Sequence, residues 1–174
     1  YFLACNHVDV LLVDKGAIAG GTSGRCEGNV LLIDKMPGFD CHLTKLSQNL
    51  FPEISEELDY PIEWTQKGSL LVIENEAEME VAIDFCQKLA SEGLPVRILD
   101  RHEVHDDAPL LADDVIGGME CASDGLLNPM ALAQGLTHGA KKAGARIQSF
   151  SPVVDIGLDP NGRIEKVVTE TGEI

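Results

Sequence analysis

The segment DVLLVDKG at residues 9–16, followed by the loop GGTSGRCEGN at residues 20–29, constrains the fold of this 174-residue chain more than any other part of it. Val10 to Val13 is an unbroken apolar run, the pattern of a parallel strand buried on both faces. Asp14 and Lys15 end the run, and Gly16, Gly20 and Gly21 break it into loop. An acidic residue that closes a second strand about 20 residues beyond a Gly-x-Gly-x-x-Gly turn is a nucleotide-binding signature, because its carboxylate accepts hydrogen bonds from ribose hydroxyls. Asp14 fits that acid. Counting back the same distance passes Tyr1, which makes YFLAC the tail of the helix whose N-terminus would hold a pyrophosphate. The expectation is a chain that begins in mid-fold. The ending TETGEI reads likewise, as a turn entering a strand that stops at Ile174, so the chain is expected to be a fragment of a larger protein.

Composition removes several function classes. An apolar fraction of 44% is ordinary for a folded globular protein. The net charge of −16 is unevenly placed, since only four of the 13 basic and five of the 29 acidic residues lie in the first 50. Nucleic acid and anionic lipid need a basic patch, and an acidic surface repels both. No segment reaches the roughly 20 apolar residues of a membrane-spanning helix. The apolar start lacks an initiator Met, a basic leader and a cleavage site, so it does not read as a signal peptide. Five scattered cysteines with no Cys-x-x-Cys suggest neither a disulfide framework nor zinc, and a reducing cytoplasm follows as the expected location.

Three sections follow one another along the chain. Residues 1–50 carry the nucleotide-type strand and loop. Residues 51–123 change character: PEISEELD reads as an acidic helix, and IEWTQKGSLLVIE as a strand pair turning at Gln66 to Gly68. An amphipathic helix comes next, with Met79, Ala82, Ile83, Cys86, Leu89 and Ala90 on one face. Asn75 with Glu78 caps its start, and Gly93 and Pro95 stop it. Asp100 and Glu103 form a second capping pair, and IGGMECAS reads as a strand. Residues 124–174 open on DGLLNP, where Asn128 caps a helix with Pro129 in its first position. Gly135, Gly139 and Ala143 give that helix a small-residue side suited to close approach to a sheet. Its end at Gly144 leads to the strand ARIQSF and to a hairpin, VVDIGL and RIEKVVTE, turning at Asp159 to Gly162.

In this order, VDKG, GGTSGRCEGN, GSLLV, DGLLNPMALAQGLTHGAKKAGARI and RIEKVVTETGEI resemble the D-amino-acid oxidase superfamily of FAD-dependent oxidoreductases, the group of glycine oxidase and sarcosine oxidase. The resemblance covers almost the whole chain. It implies an α/β fold with an α+β insertion: a partial Rossmann-like FAD-binding domain interrupted by an antiparallel-sheet substrate domain. It also implies oxidation of the C–N bond of an amino acid or secondary amine by hydride transfer to flavin. Another two-domain flavoprotein, such as a glycerol-3-phosphate dehydrogenase, or a non-catalytic acidic binding module are the alternatives.

By the same resemblance Asp14 holds the adenosine ribose with Lys15 beside it. Thr22, Ser23, Gly24, Arg25, Cys26 and Gly28 belong to the loop that passes the pyrophosphate and flavin ring. Short and hydroxyl residues suit that place because backbone N–H groups can approach an anion closely, and Arg25 adds a fixed positive charge. Val153 or Val154 falls where a backbone amide and carbonyl meet the adenine, with the side chain expected in the core. The partners implied are FAD, a small-molecule amine or amino acid and, as for related dehydrogenase subunits, an oligomer or hetero-subunit. No catalytic residue is assigned, because the groups that hold the substrate carboxylate lie beyond Ile174 in the family. Without them and the glycine turn, the chain by itself is expected to bind FAD weakly and to be inactive. His102, His105, Asp106 and Asp107 form the best metal-like cluster, but no third ligand completes a known pattern, and a solvated capping segment is the simpler reading. His138 reads as a surface or packing residue and Trp64 as a core one.

Overall fold

The computed structural model describes residues 1–174. In chain order the elements begin with α1 (Phe2–Cys5), β1 (Leu11–Val13), a 3₁₀ turn (Thr22–Arg25), β2 (Asn29–Val30) and α2 (Phe39–Glu57). They continue with β3 (Thr65–Gln66), β4 (Ser69–Ile73), α3 (Glu76–Ser91), β5 (Val96–Asp100), α4 (Arg101–Asp107), β6 (Gly117–Cys121) and β7 (Gly125–Leu126). The last are α5 (Pro129–Lys142), β8 (Arg146–Gln148), β9 (Val153–Leu158), β10 (Ile164–Thr169) and β11 (Gly172–Glu173). They form two compact units, one of Tyr1–Glu27, Ser55–Ile62 and Asn128–Ile174, the other of Gly28–Ile54 and Glu63–Leu127.

In the first unit β1 pairs in parallel with β8, Leu12 opposite Ile147. A parallel pair needs a crossover, and α5 supplies it immediately before β8. Asn128 caps α5 by accepting the N–H groups of Met130 and Ala131, with Pro129 in the first turn where its missing N–H costs nothing. A small core of Ala4, Ala140 and Ala145, flanked by Tyr1, Val10 and Ile147, packs α1 and α5 with the strand pair. The glycines of α5 meet side chains rather than a sheet. A Cβ on Gly135 would lie 3.1 Å from the Tyr60 ring, and one on Gly139 would collide with the Leu58 side chain. The expected partner was wrong because Leu58 and Tyr60 come from the segment after α2. The second sheet of this unit is antiparallel, β9–β10–β11, and its hairpin turns at Gly162 with φ +79°.

The second unit holds two antiparallel sheets, β2–β7–β3 and β4–β6–β5. The mixture of a parallel pair in one unit and antiparallel sheets in the other is the α/β fold with an α+β insertion expected above. β3 and β4 are not a hairpin: Thr65 pairs with Leu126 in one sheet and Ser69 with Cys121 in the other. Gly68 at φ +78° lets the chain change sheets between them. Of residues 52–59, read as a separate helix, 52–57 are the end of a longer one, since α2 begins at Phe39 and carries Pro52 inside it, and Leu58 and Asp59 turn out of it. A proline in a helix interior costs about 3 kcal/mol, which is why the sequence reads as a helix start there. Burial of Cys41, Gln48 and Ile54 on both sides of the proline keeps the helix continuous.

α3 covers the β4–β6–β5 sheet with Ala82, Cys86 and Leu89 buried and Phe85 packed beside them. Ile83 and Ala90, expected on that face, are exposed, because at 100° per residue they fall beyond the edge of the buried stripe on the side away from Phe85. Capping is as expected: Asn75 accepts the Glu78 N–H, and Asp100 with Glu103 closes a reciprocal capping box on α4.

Candidate functional site

In the first unit the end of β1 and the residues following β8 are tied together by main-chain hydrogen bonds. The Asp14 N–H donates to the Gln148 carbonyl at 3.0 Å and the Ser151 N–H to the Asp14 carbonyl at 2.9 Å. The Phe150 N–H reaches the Gly16 carbonyl at 3.2 Å. Beside these bonds is a cleft of about 520 Å³ lined by Asp14, Lys15, Gly16, Gly20, Gly21 and Ser151 to Val153. The backbone positions thus come from two places distant in sequence but adjacent in the sheet.

Asp14 enters this cleft exposed. Its Oδ1 accepts the Gly16 N–H at 2.7 Å, fixing the carboxylate in a local turn, while Oδ2 has no partner within the chain. A carboxylate oxygen so presented can accept hydroxyl protons. Lys15 and Arg25 take part in none of the ion pairs of the protein, so both cations are available in a chain of net charge −16.

The 3₁₀ turn of Thr22, Ser23, Gly24 and Arg25 packs against α5 with every residue exposed. Cys26 follows, its Sγ 3.4 Å from the Ser23 carbonyl and its side chain open to solvent. The loop is tightly wound. The Gly20 N–H donates to the Ala17 carbonyl at 2.9 Å, Ala19 is held at φ +62°, and a Cβ on Gly24 would collide with the Ala19 carbonyl. Glycine is therefore required at position 24 by space rather than by φ.

Gly28 lies in the second unit, buried at φ +85°, where its carbonyl accepts the Leu127 N–H at 3.0 Å. Val153 lines the cleft at the start of β9, and Val154 is the extra residue at a register shift between β9 and β10. Their side chains are 46% and 57% exposed, not in the core. β-branched residues favour strands whether or not a face is covered, and in this sheet both are left exposed.

Asp124, the first residue of DGLLNP, received no role from the sequence. It is completely buried in the second unit and accepts four hydrogen bonds, two of them from the main chain of Leu32 and Ile33. Its signal was an ionisable residue beside a buried strand, which is seldom found without partners.

The metal-like cluster does not converge. His102 pairs with Asp106 at 3.1 Å, His105 faces the Val115 carbonyl at 3.3 Å, and no group of three His, Cys, Asp or Glu side chains is placed to hold a metal ion. His138 is exposed beside Tyr60. Trp64 is half-buried against Phe51 and roofs Gly125, where a Cβ would lie 2.7 Å from the indole. The thiols of Cys41, Cys86 and Cys121 are pushed up chiefly by burial, and none of the five cysteines is paired. No helix is long and apolar enough to cross a membrane.

A strand that ends in an acid and runs into a glycine loop is a feature that nucleotide-binding folds share. The chain belongs to the DAO family of FAD-dependent oxidoreductases, whose profile matches residues 1–174, and FAD is the cofactor of that family. It is 26% identical over 165 residues to glycine oxidase of Geobacillus kaustophilus, a match covering 89% of this chain and 43% of the relative. It is 25% identical over 172 residues to anaerobic glycerol-3-phosphate dehydrogenase subunit A1 of Haloferax volcanii, covering 88% of this chain and 26% of that one. The solved glycine oxidase from Bacillus cereus superposes with a TM-score of 0.89 at 25% identity, over 99% of this chain and 48% of the other. The chain thus spans less than half the length of each of these proteins.

Proposed function

We propose that this chain supplies the adenosine and pyrophosphate part of a FAD site in an oxidoreductase that oxidises the C–N bond of an amino acid or secondary amine. The observation that carries the reading is the unpartnered Oδ2 of Asp14 in a cleft walled by glycines. Asp14 accepts the ribose hydroxyls, and its Oδ1 bond to Gly16 holds the carboxylate in place. Gly16, Gly20 and Gly21 present no side chain to a bulky group entering the cleft, and Lys15 lends it positive charge. Thr22, Ser23, Gly24, Arg25, Cys26 and Gly28 form the loop that passes the pyrophosphate and flavin, with Arg25 as the fixed cation. Val153 and Val154 offer backbone groups to the adenine.

When bound, FAD supplies the ring that accepts hydride from the substrate carbon, after which the substrate imine is open to hydrolysis. The protein's share is to bind, orient and charge-balance the cofactor. Glycine oxidase and D-amino acid dehydrogenase among the relatives support the amine reading. A second reading, oxidation of glycerol 3-phosphate, draws on the Haloferax volcanii relative. Small-molecule substrates, assembly with other subunits and a cytoplasmic location, the last supported by five unpaired cysteines, complete the proposal.

The test uses the complete gene product. Its purified form should show flavin absorbance that bleaches anaerobically with an amino acid or N-methylated amine. Bleaching by glycerol 3-phosphate alone would replace the first reading with the second. A flavin-free protein that FAD does not bind would sink both.

A further inference from the structure

Three hydrogen bonds close a ring around the peptide of Asp14. The Asp14 N–H donates to the Gln148 carbonyl at 3.0 Å, Gln148 Nε2 donates to the Ser151 hydroxyl at 2.7 Å, and the Ser151 N–H returns to the Asp14 carbonyl at 2.9 Å. Two of these links are main chain and do not depend on side-chain type. The third joins two side chains, and the proposed cofactor contacts make no use of it. Every member of the ring lies within the first unit.

Residues 149–152 carry the chain from β8, in the parallel pair, to β9, in the antiparallel sheet. Within this bend Phe150 sits at φ +54° with its side chain exposed, a left-handed conformation that a residue with a bulky side chain rarely adopts. Burial of the ring does not offset that conformation. The bonds of the bend hold it instead: the Phe150 N–H reaches the Gly16 carbonyl at 3.2 Å, and the buried Ser151 is bonded through both its N–H and its hydroxyl. The same bend borders the cleft, where Ser151, Pro152 and Val153 line it together with Asp14, Lys15 and Gly16.

We infer that Gln148 and Ser151 are positioning residues for FAD: their side-chain bond fixes the bend against the end of β1 and so sets the spacing between the Asp14 carboxylate, assigned to the ribose, and the Val153 main chain, assigned to the adenine. The inference rests on the assignment of this cleft to the adenosine of FAD. Neither side chain is given a contact with the cofactor. A purely structural role would lower stability without any particular effect on FAD.

The experiment compares the complete gene product with its Ser151→Ala, Gln148→Met, doubly substituted and Leu58→Val variants. Ser151→Ala removes the acceptor of the side-chain bond and Gln148→Met its donor. Leu58 is a buried residue of the same unit that packs against Gly135 and Gly139 of α5 and lines no part of the cleft. FAD dissociation constants come from flavin fluorescence titration of apoprotein, and Tm values from circular dichroism. Each single variant of the pair should weaken FAD by about fivefold or more. The double variant should lose less than about twofold beyond the larger single loss, because residues acting through one shared bond are not additive. Leu58→Val, at a comparable loss in Tm, should change FAD affinity less than about twofold. Parental affinity in either single variant overturns the inference, as do additive losses in the double variant or equal weakening by Leu58→Val. If one single variant does not fold, the other decides against Leu58→Val. A parent that binds no FAD refutes the cleft assignment and the inference with it, whereas a parent that binds FAD beside variants of equal affinity refutes the inference only.

Discussion

The Leu32 N–H and the Asp124 carboxylate meet at 2.7 Å inside the second unit, joining residues 92 positions apart. Removing the carboxylate would leave that amide, the Ile33 amide and two side-chain donors without an acceptor away from water. Each buried donor left unsatisfied costs about 1–3 kcal/mol. Asp124→Ala should therefore lower the unfolding free energy by on the order of 3 kcal/mol or more, read from the urea midpoint at unchanged slope. A loss below about 0.5 kcal/mol would mean that water or a rearranged Gln48 replaces the carboxylate.

Helix α5 gives a second test. Alanine at Gly139 gains helix propensity of about 1 kcal/mol, yet its Cβ would collide with Leu58 and sit 3.0 Å from the Tyr1 ring. Overpacking of this kind costs about 1–3 kcal/mol, so Gly139→Ala should lower Tm despite the better helix former. A raised Tm would show that Leu58 yields freely.

The cysteines divide by burial. Cys5 and Cys26 are exposed, while Cys41, Cys86 and Cys121 are buried. A thiol reagent should modify two sites in the folded protein and five after denaturation; rapid modification of all five in buffer would contradict the packing of α3 against its sheet.

Those three buried thiols also set a direction for pH. Burial raises each folded pKa above its unfolded value, so the folded state holds the proton more tightly. That contribution to stability is fully present below the ordinary thiol pKa of about 8.5 and is lost as pH rises through the folded values. Denaturant midpoints should fall on the alkaline side, and replacing Cys86 with alanine should flatten the fall.

Much of this was legible in the sequence because local chemistry and tertiary structure agree. Asn75, Asp100 and Asn128 cap the helices that their own neighbours form, and the run of Val10 to Val13 ends at Asp14 where β1 does. What escaped needed long-range information. Pro52 reads as a helix start because the buried residues that carry α2 through it lie on both sides of the break. Thr65 and Ser69 read as a hairpin because only the sheet topology shows that they pair with Leu126 and Cys121. Asp124 showed only as an ionisable residue beside a buried strand, and its partners were hidden because all its donors but Ser69's come from residues more than 70 positions away. At the proposed cofactor cleft, Asp14 and the glycines stood out by spacing, whereas the contribution of Ser151 and Pro152 depends on the strand pairing of β1 with β8.

The central claim is that Asp14 holds the FAD ribose, and the most direct measurement is FAD affinity of the complete gene product with and without that carboxylate. Asp14→Ala removes an exposed side chain and its bond to Gly16, so Tm should move little. Loss of a charge-assisted pair of hydrogen bonds should weaken FAD by about tenfold to a hundredfold. An Asp14→Ala protein that binds FAD as tightly as the parent would contradict the account.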